Sequence, residues 1–447
     1  METVIRGGTV VTCDGADQVI EGNVVVRDGA IAAVGPTGKA RGARSSGGLA
    51  RVLDARGCAV IPGFVQAHVH LCQVLFRGMA DDLPLLEWLR RRIWPLEAAH
   101  DETSVGASAE LGLAEAMLGG TTTLLDMGTV RAHDAVMDAC VRSGVRALSG
   151  KAMMDVGDGV PAGLRESTRA SLDESERLAS SWRGAGDGRI GYAWAPRFVL
   201  SCTEALVRGA VERAAVHAEL VHTHAAEHPA EREAVRQALG DEDVAVLRSW
   251  GVSGPRAILA HGVQLELDEA RALAKEGTRV VHCPSANLKL GSGIARVAEL
   301  DGLGVQLALG ADGAPCNNNL DAWVELRHAA LLAKVRTGVT TLPARRALRL
   351  ATIDGARALG LGDRIGSIEP GKRADLAVVR LDGAHVEPGG DVFSRLVYAC
   401  SARDVVHVLV DGQLVVRDGE HQRLDVERVK ARAREQAKKL IARAGLR

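Results

Sequence analysis

The alternation of apolar and polar positions changes character twice along this chain. In the first 55 residues, short apolar runs are separated by turn residues. Thr3 to Thr12 is rich in β-forming residues, and Asn23 to Val34 holds two short apolar runs around Arg27-Asp28-Gly29. An Asp-Gly pair between such runs predicts a hairpin. Gly35 to Leu49 is rich in Gly and Ser with several basic residues and reads as a surface loop. The pattern returns near the other end. Ala374 to Val379 predicts a strand, and Val405 to Val416 predicts another hairpin that runs on into Arg417-Asp418-Gly419. Two β-rich ends around a long middle predict one small β-sandwich domain built from both termini.

The middle alternates between short apolar runs and amphipathic stretches. The runs are Ala59–Val65, Thr121–Leu125, Val145–Leu148, Arg189–Ala193, Glu219–His222, Arg256–Ala260, Thr278–Val281 and Val305–Leu309. Helical stretches separate most of them, among them Thr103–Leu118, Ala132–Ser143, Ser167–Ser180, Thr203–His217, Ala230–Leu239 and Asp268–Lys275. Eight strand-then-helix units predict an α/β fold, a (β/α)8 TIM barrel over residues 58–368. Residues 1–57 and 369–447 then form the small composite β domain. A doubly wound open sheet is the competing fold, but no Gly-x-Gly-x-x-Gly turn follows any of the runs. The last segment, Asp425 to Leu446, reads as a basic amphipathic helix packing on the small domain.

Composition narrows the function classes. Of 447 residues, 47% are hydrophobic and 25% charged, which excludes a disordered or fibrous chain. The net charge of -1 provides no electrostatic footprint for nucleic acid or an anionic membrane. No apolar run reaches the roughly 18–20 residues of a membrane helix. The N-terminus lacks the basic-then-apolar layout of a signal peptide. The eight Cys residues include no Cys-x-x-Cys pair, so the expectation is reduced, buried thiols in a cytoplasmic protein.

The polar residues that interrupt the apolar runs gather at one end of the expected barrel. The first run leads into Gln66-Ala67-His68-Val69-His70, and residues i and i+2 of a strand face the same way. Later runs lead into His222-Thr223-His224, Ala260-His261-Gly262, Val281-His282-Cys283 and Gly310-Ala311-Asp312-Gly313. The C-terminal ends of barrel strands build active sites. Imidazoles with one carboxylate suit zinc or iron(II), and a metal-acidified water is a strong nucleophile. Glu227 stands three residues after His224, the wrong parity for the same strand face. It therefore belongs to the loop above the site, where a carboxyl acts as a general acid/base.

These residues carry a resemblance to the amidohydrolase superfamily. The matching branch includes guanine deaminases, methylthioadenosine/S-adenosylhomocysteine deaminases, 5′-deoxyadenosine deaminases and s-triazine hydrolases. The stretches concerned begin with Ile61 to His70, Arg77 to Trp88, His224-Ala-Ala-Glu227 and Ala260-His-Gly262. They continue with His282 to Leu290, Gly310 to Asn318 and Gly371 to Leu376. The resemblance implies one divalent metal, Zn2+ or else Fe2+, held by His68, His70, His224 and Asp312. It implies that a metal-activated water attacks the amidine carbon, with Asp312 accepting its proton. Glu227 protonates the ring nitrogen, and His261 contacts the attacking oxygen. His282 and Asn287 orient these groups, while His222, His228, His100 and His133 are left as structural or exposed. A homo-oligomer, dimer or tetramer, is also implied, with a small molecule as substrate.

Substrate selection is read from fewer residues. The resemblance assigns Glu97 to the ribose hydroxyls and Lys151 to a substrate carboxylate. Arg197-Phe198 and Gln73 resemble the guanine deaminase pattern and are expected against a purine. The pattern as a whole best resembles 5′-deoxyadenosine deaminases, so the expected substrate is a 5′-modified adenosine. Guanine or another oxo-purine or pterin, and an s-triazine amidine, are the alternatives. A non-catalytic relative is disfavoured because every expected ligand is present.

Overall fold

The computed structural model describes residues 2–36 and 50–446. The loop expected at Gly35 to Leu49 falls mostly on residues 37–49, outside the described residues, although Gly35 itself ends a strand.

Two sheets organise the described chain. The first has nine strands, Glu2–Val11, Val19–Arg27, Ala30–Gly35, Arg51–Asp54, Cys58–Pro62, Leu376–Arg380, Val405–Val410, Gln413–Arg417 and Glu420–His421. Asp28 and Gly29 adopt φ of 50° and 80°, and Asp411 and Gly412 adopt 55° and 73°. Both pairs form the left-handed two-residue turns that their sequence favours. Cys58–Pro62 joins the two ends of the chain, pairing in parallel with Glu2–Val11 and antiparallel with Leu376–Arg380. Ile5, Val10, Val24, Val60, Leu376 and Leu409 form a core of their own on this sheet. Each such fully buried aliphatic side chain stabilises by about 1.5–3 kcal/mol, which holds the termini together.

The second sheet is a closed parallel barrel. Its strands are Phe64–His70, Thr121–Met127, Arg146–Gly150, Ile190–Pro196, Leu220–Ala225, Ala257–His261 and Arg279–His282, followed by a divided eighth strand. Gln306–Leu309 pairs with the seventh strand, and Asp312–Gly313 pairs with the first, setting Asp312 opposite Val69 and Gly313 opposite His70. The ring is therefore closed, and the open doubly wound sheet is excluded. Gly310 makes the crossing possible, because a Cβ there would lie 2.6 Å from the carbonyl oxygen of His68.

Two expectations are corrected. The single strand expected over Ala59–Val65 is two strands in different sheets, divided at Gly63. A Cβ at Gly63 would lie 2.1 Å from Thr122, so only glycine permits the chain to cross there. The C-terminal helix, Val426–Ala444, packs on the barrel side rather than on the small sheet. Its Arg432 pairs with Glu110 of helix Glu102–Leu118, and Arg443 pairs with Asp101 and reaches the Ala99 carbonyl. Among the described residues, no helix is long and apolar enough to cross a membrane.

Candidate active site

The C-terminal ends of barrel strands one, five, six and eight converge. His68 and His70 end the first strand, His224 lies near the end of the fifth, His261 ends the sixth, and Asp312 opens the second half of the eighth. All five are at least nine-tenths buried. Asp312 Oδ1 lies 3.3 Å from both His68 Nε2 and His70 Nε2. His70 Nε2 lies 3.2 Å from His224 Nε2. His68, His224, His261 and Asp312 each offer one ligand atom, all within 4.8 Å of one another.

Hydrogen bonds determine what these nitrogens present. His70 Nδ1 donates to the Met127 carbonyl at 2.7 Å, and His224 Nδ1 donates to the Arg197 carbonyl at 2.7 Å. A carbonyl only accepts, so the proton of each neutral ring sits on Nδ1 and both Nε2 atoms carry lone pairs. Two lone pairs facing at 3.2 Å repel unless a cation lies between them. His68 Nδ1 lies 2.8 Å from His222 Nε2, and its buried Nε2 has no hydrogen-bond partner. Burial, together with the neighbouring imidazoles, holds His222 and His224 well below the usual histidine range and lowers His68 to about 4. Burial raises the Asp312 carboxyl, but the His68 and His70 rings 3.3 Å away outweigh it and hold Asp312 well below the carboxylate range. Converging imidazole nitrogens and an ionised carboxylate fit a divalent metal.

Glu227 sits above this cluster. Its Oε2 lies 3.5 Å from His261 Nε2, and burial with the Asp312 charge pushes its carboxyl well above the usual range. His261 Nδ1 is 2.9 Å from Asn287 Oδ1, which leaves Nε2 aimed at Glu227 and, at 3.8 Å, at Asp312 Oδ2. Ala226, His261 and Asp312 have φ of 51°, 78° and 61°. Left-handed backbone at non-glycine residues costs on the order of 1–3 kcal/mol each and persists where surrounding contacts over-determine it.

A cavity opens on these groups. Gln73, Arg197 and Phe198 line it together with Leu85, Trp88 and Leu89. The last three come from the segment after strand one, which passes through a wide π-type turn at Leu89–Ile93. Such turns concentrate at functional sites.

Glu97 and Lys151 are placed differently from expectation. Glu97 is buried behind the lining, its Oε1 accepting from Gln73 Nε2 at 2.8 Å and its Oε2 paired with Arg197 Nη1 at 2.5 Å. Its contact is with Arg197 and Gln73, and they face the cavity. Lys151 is fully buried away from the cavity, with Nζ 2.5 Å from Glu166 and 3.1 Å from Ser171 Oγ. A buried cation already matched by a carboxylate is not available to a substrate. His222, set aside in the sequence, is a direct partner of His68. The signal was its i, i+2 spacing to His224, the same parity that singles out His68 and His70. Asp126 was also missed. Its Oδ1 accepts the Leu71 N–H at 2.8 Å, anchoring the chain immediately after His70.

Comparison with known proteins agrees with this geometry. The profile of the amidohydrolase family matches residues 59–415. A 5-methylthioadenosine/S-adenosylhomocysteine deaminase of Pelotomaculum thermopropionicum is 36% identical over 98% of this chain and 99% of its own. A 5′-deoxyadenosine deaminase of Methanosarcina acetivorans is 36% identical over 99% of each. The crystal structure of an adenosine deaminase from Xanthomonas campestris, with zinc bound, superposes with a TM-score of 0.92 at 35% identity, covering 98% of both chains. The cluster of histidines and Asp312 thus fits a single divalent metal, zinc, at the end of a closed barrel, and the chain belongs to the amidohydrolase family.

Proposed function

We propose that this chain is a zinc-dependent aminohydrolase that deaminates the adenine ring of a 5′-modified adenosine, giving the inosine analogue and ammonia. The observation that carries the reading is the convergence of buried, lone-pair-bearing imidazoles and Asp312 beneath Glu227. The named relatives support the substrate class.

His68, His70, His224 and Asp312 are the ligands in this reading, with His261 beside them. When bound, zinc supplies an acidified water as nucleophile and a positive charge that offsets the developing anion. The protein's part is proton traffic. Asp312 accepts a proton from the attacking water. Glu227, whose carboxyl burial pushes well above the usual range, donates its proton to the ring nitrogen adjacent to the amine-bearing carbon and regains one from the added hydroxyl, while Asp312 passes its proton to the departing amine. His261, oriented by Asn287, contacts the attacking oxygen. The balance is one C–N bond broken, one C–O bond formed, and water consumed as ammonia leaves.

The cavity favours an uncharged 5′ group. Among the described residues, Arg197 is the one Lys or Arg lining it, and Glu97 already neutralises that charge. Leu85, Trp88, Leu89 and Phe198 offer apolar surface. This ranks 5′-deoxyadenosine and methylthioadenosine ahead of S-adenosylhomocysteine, whose carboxylate finds no partner. One observation favours a second reading, an oxo-purine such as guanine: Arg197 lines the cavity and carries guanidinium N–H groups beyond the one paired with Glu97. The eight unpaired cysteines support a reducing compartment such as the cytoplasm.

The test is ammonia release by the zinc-loaded enzyme on 5′-deoxyadenosine, methylthioadenosine, S-adenosylhomocysteine, adenosine, adenine and guanine. Highest kcat/KM on adenine nucleosides supports the proposal, and highest kcat/KM on guanine replaces it with the second reading. Glu227→Gln should lower kcat by at least about 100-fold while zinc stays bound, and unchanged turnover removes Glu227 from the mechanism.

A further inference from the structure

The loop that carries Glu227 is held by two buried acids the mechanism does not use. Strand five ends at Ala225, and helix Pro229–Leu239 starts after His228. Between them Ala226 is left-handed, with φ of 51°. The carbonyls of this turn are held from strand six: Gly262 N–H donates to Ala225 at 3.1 Å and Gln264 N–H donates to Ala226 at 2.8 Å. The amides on the other side need acceptors, because water is excluded.

Asp243 and Glu231 supply them. The Ala226 N–H donates to Asp243 Oδ2 at 2.5 Å, and the Glu227 N–H donates to Glu231 Oε2 at 3.1 Å. Both acids are 1% exposed. Glu231 lies in the first turn of helix Pro229–Leu239 and reaches back over the turn preceding it. Asp243 opens the next helix, Asp243–Ser249, and also accepts the Val244 N–H at 2.9 Å. Arg232 faces Asp243 at 3.4 Å and continues to Glu242 and Glu269. Burial, then the Asp243 charge, pushes Glu231 up to about 8.

We infer that Glu231, with Asp243, is a positioning residue that sets the left-handed turn at Ala226 and thereby aims the Glu227 carboxyl at His261 and Asp312. Neither acid lines the cavity, so both act through the backbone. The inference rests on the reading of Glu227 as the proton carrier.

The experiment compares Glu231→Gln with Glu231→Leu in the zinc-loaded full chain. Gln keeps an acceptor oxygen for the Glu227 N–H, whereas Leu fills similar space without one. Glu231→Leu should lower kcat by roughly 10- to 100-fold, the scale of a misplacement near one ångström. Its KM should stay within about twofold, because ground-state binding is untouched, and its zinc content should remain one per chain. Glu231→Gln should retain most of the activity. Should Glu231→Leu not fold, Glu231→Met, unbranched and equally without an acceptor, carries the same expectation. Equal losses in the Gln and apolar variants, or a full-activity apolar variant beside an inactive Glu227→Gln, overturn the inference alone. A fully active Glu227→Gln overturns the reading beneath it.

Discussion

The buried pair Glu97–Arg197 offers a quantitative test of how the cavity wall works. Side-chain exposures are 1% for Glu97 and 4% for Arg197, at a separation of 2.5 Å. Replacing Glu97 by Leu leaves the guanidinium buried and uncompensated, which costs about 3–5 kcal/mol. It also strands Gln73 Nε2, which costs about 1–3 kcal/mol more. Replacing Arg197 by Met strands the carboxylate at a similar cost. The double variant removes both charges, and such pairs exchange for apolar groups at near-neutral cost. The Gln73 loss is common to Glu97→Leu and the double variant and cancels in the cycle, so the coupling energy is the sum of the two stranding costs, about 6–10 kcal/mol. Urea unfolding of the zinc-loaded enzyme, followed by the fluorescence of its six Trp residues, measures it. kcat/KM measured on the same proteins separates two roles for Glu97. Acting only through Arg197, Glu97→Leu adds no further loss in the Arg197→Met background. A direct ribose contact adds a further loss on nucleosides and none on a free base. Additive stability losses in the two single variants would falsify the coupling.

Two other substitutions address the metal and the substrate carboxylate. His222→Phe removes the partner of His68 Nδ1 and should weaken zinc binding by about 10- to 100-fold, read by chelator competition. Unchanged affinity would show that His68 needs no such support. Lys151→Met should leave the ratio of kcat/KM for methylthioadenosine and S-adenosylhomocysteine unchanged, while stability falls because Glu166 loses its buried partner. A shift in that ratio would return Lys151 to the substrate site.

Local chemistry by itself determined much of this protein. Hydrophobic periodicity located seven of the eight barrel strands to within a few residues, because a strand buried on both faces must be almost wholly apolar. The Asp28-Gly29 pair announced the first hairpin of the small sheet, because few residues adopt left-handed backbone cheaply. The parity of His-x-His and the single polar residues ending apolar runs picked out the residues that converge. Tertiary structure decided what depends on distance between segments far apart in the chain. Cys58–Pro62 and Phe64–His70 read as one apolar run, and only strand pairing assigns them to different sheets. The C-terminal helix has one apolar face, and the sequence does not say which surface covers it. Glu97 and Arg197 are a hundred residues apart, and no local pattern reveals that each occupies the other. Lys151 looks available until Glu166 closes on it. A residue's type and parity are local properties, but whether its charge is free is decided by what the fold packs against it.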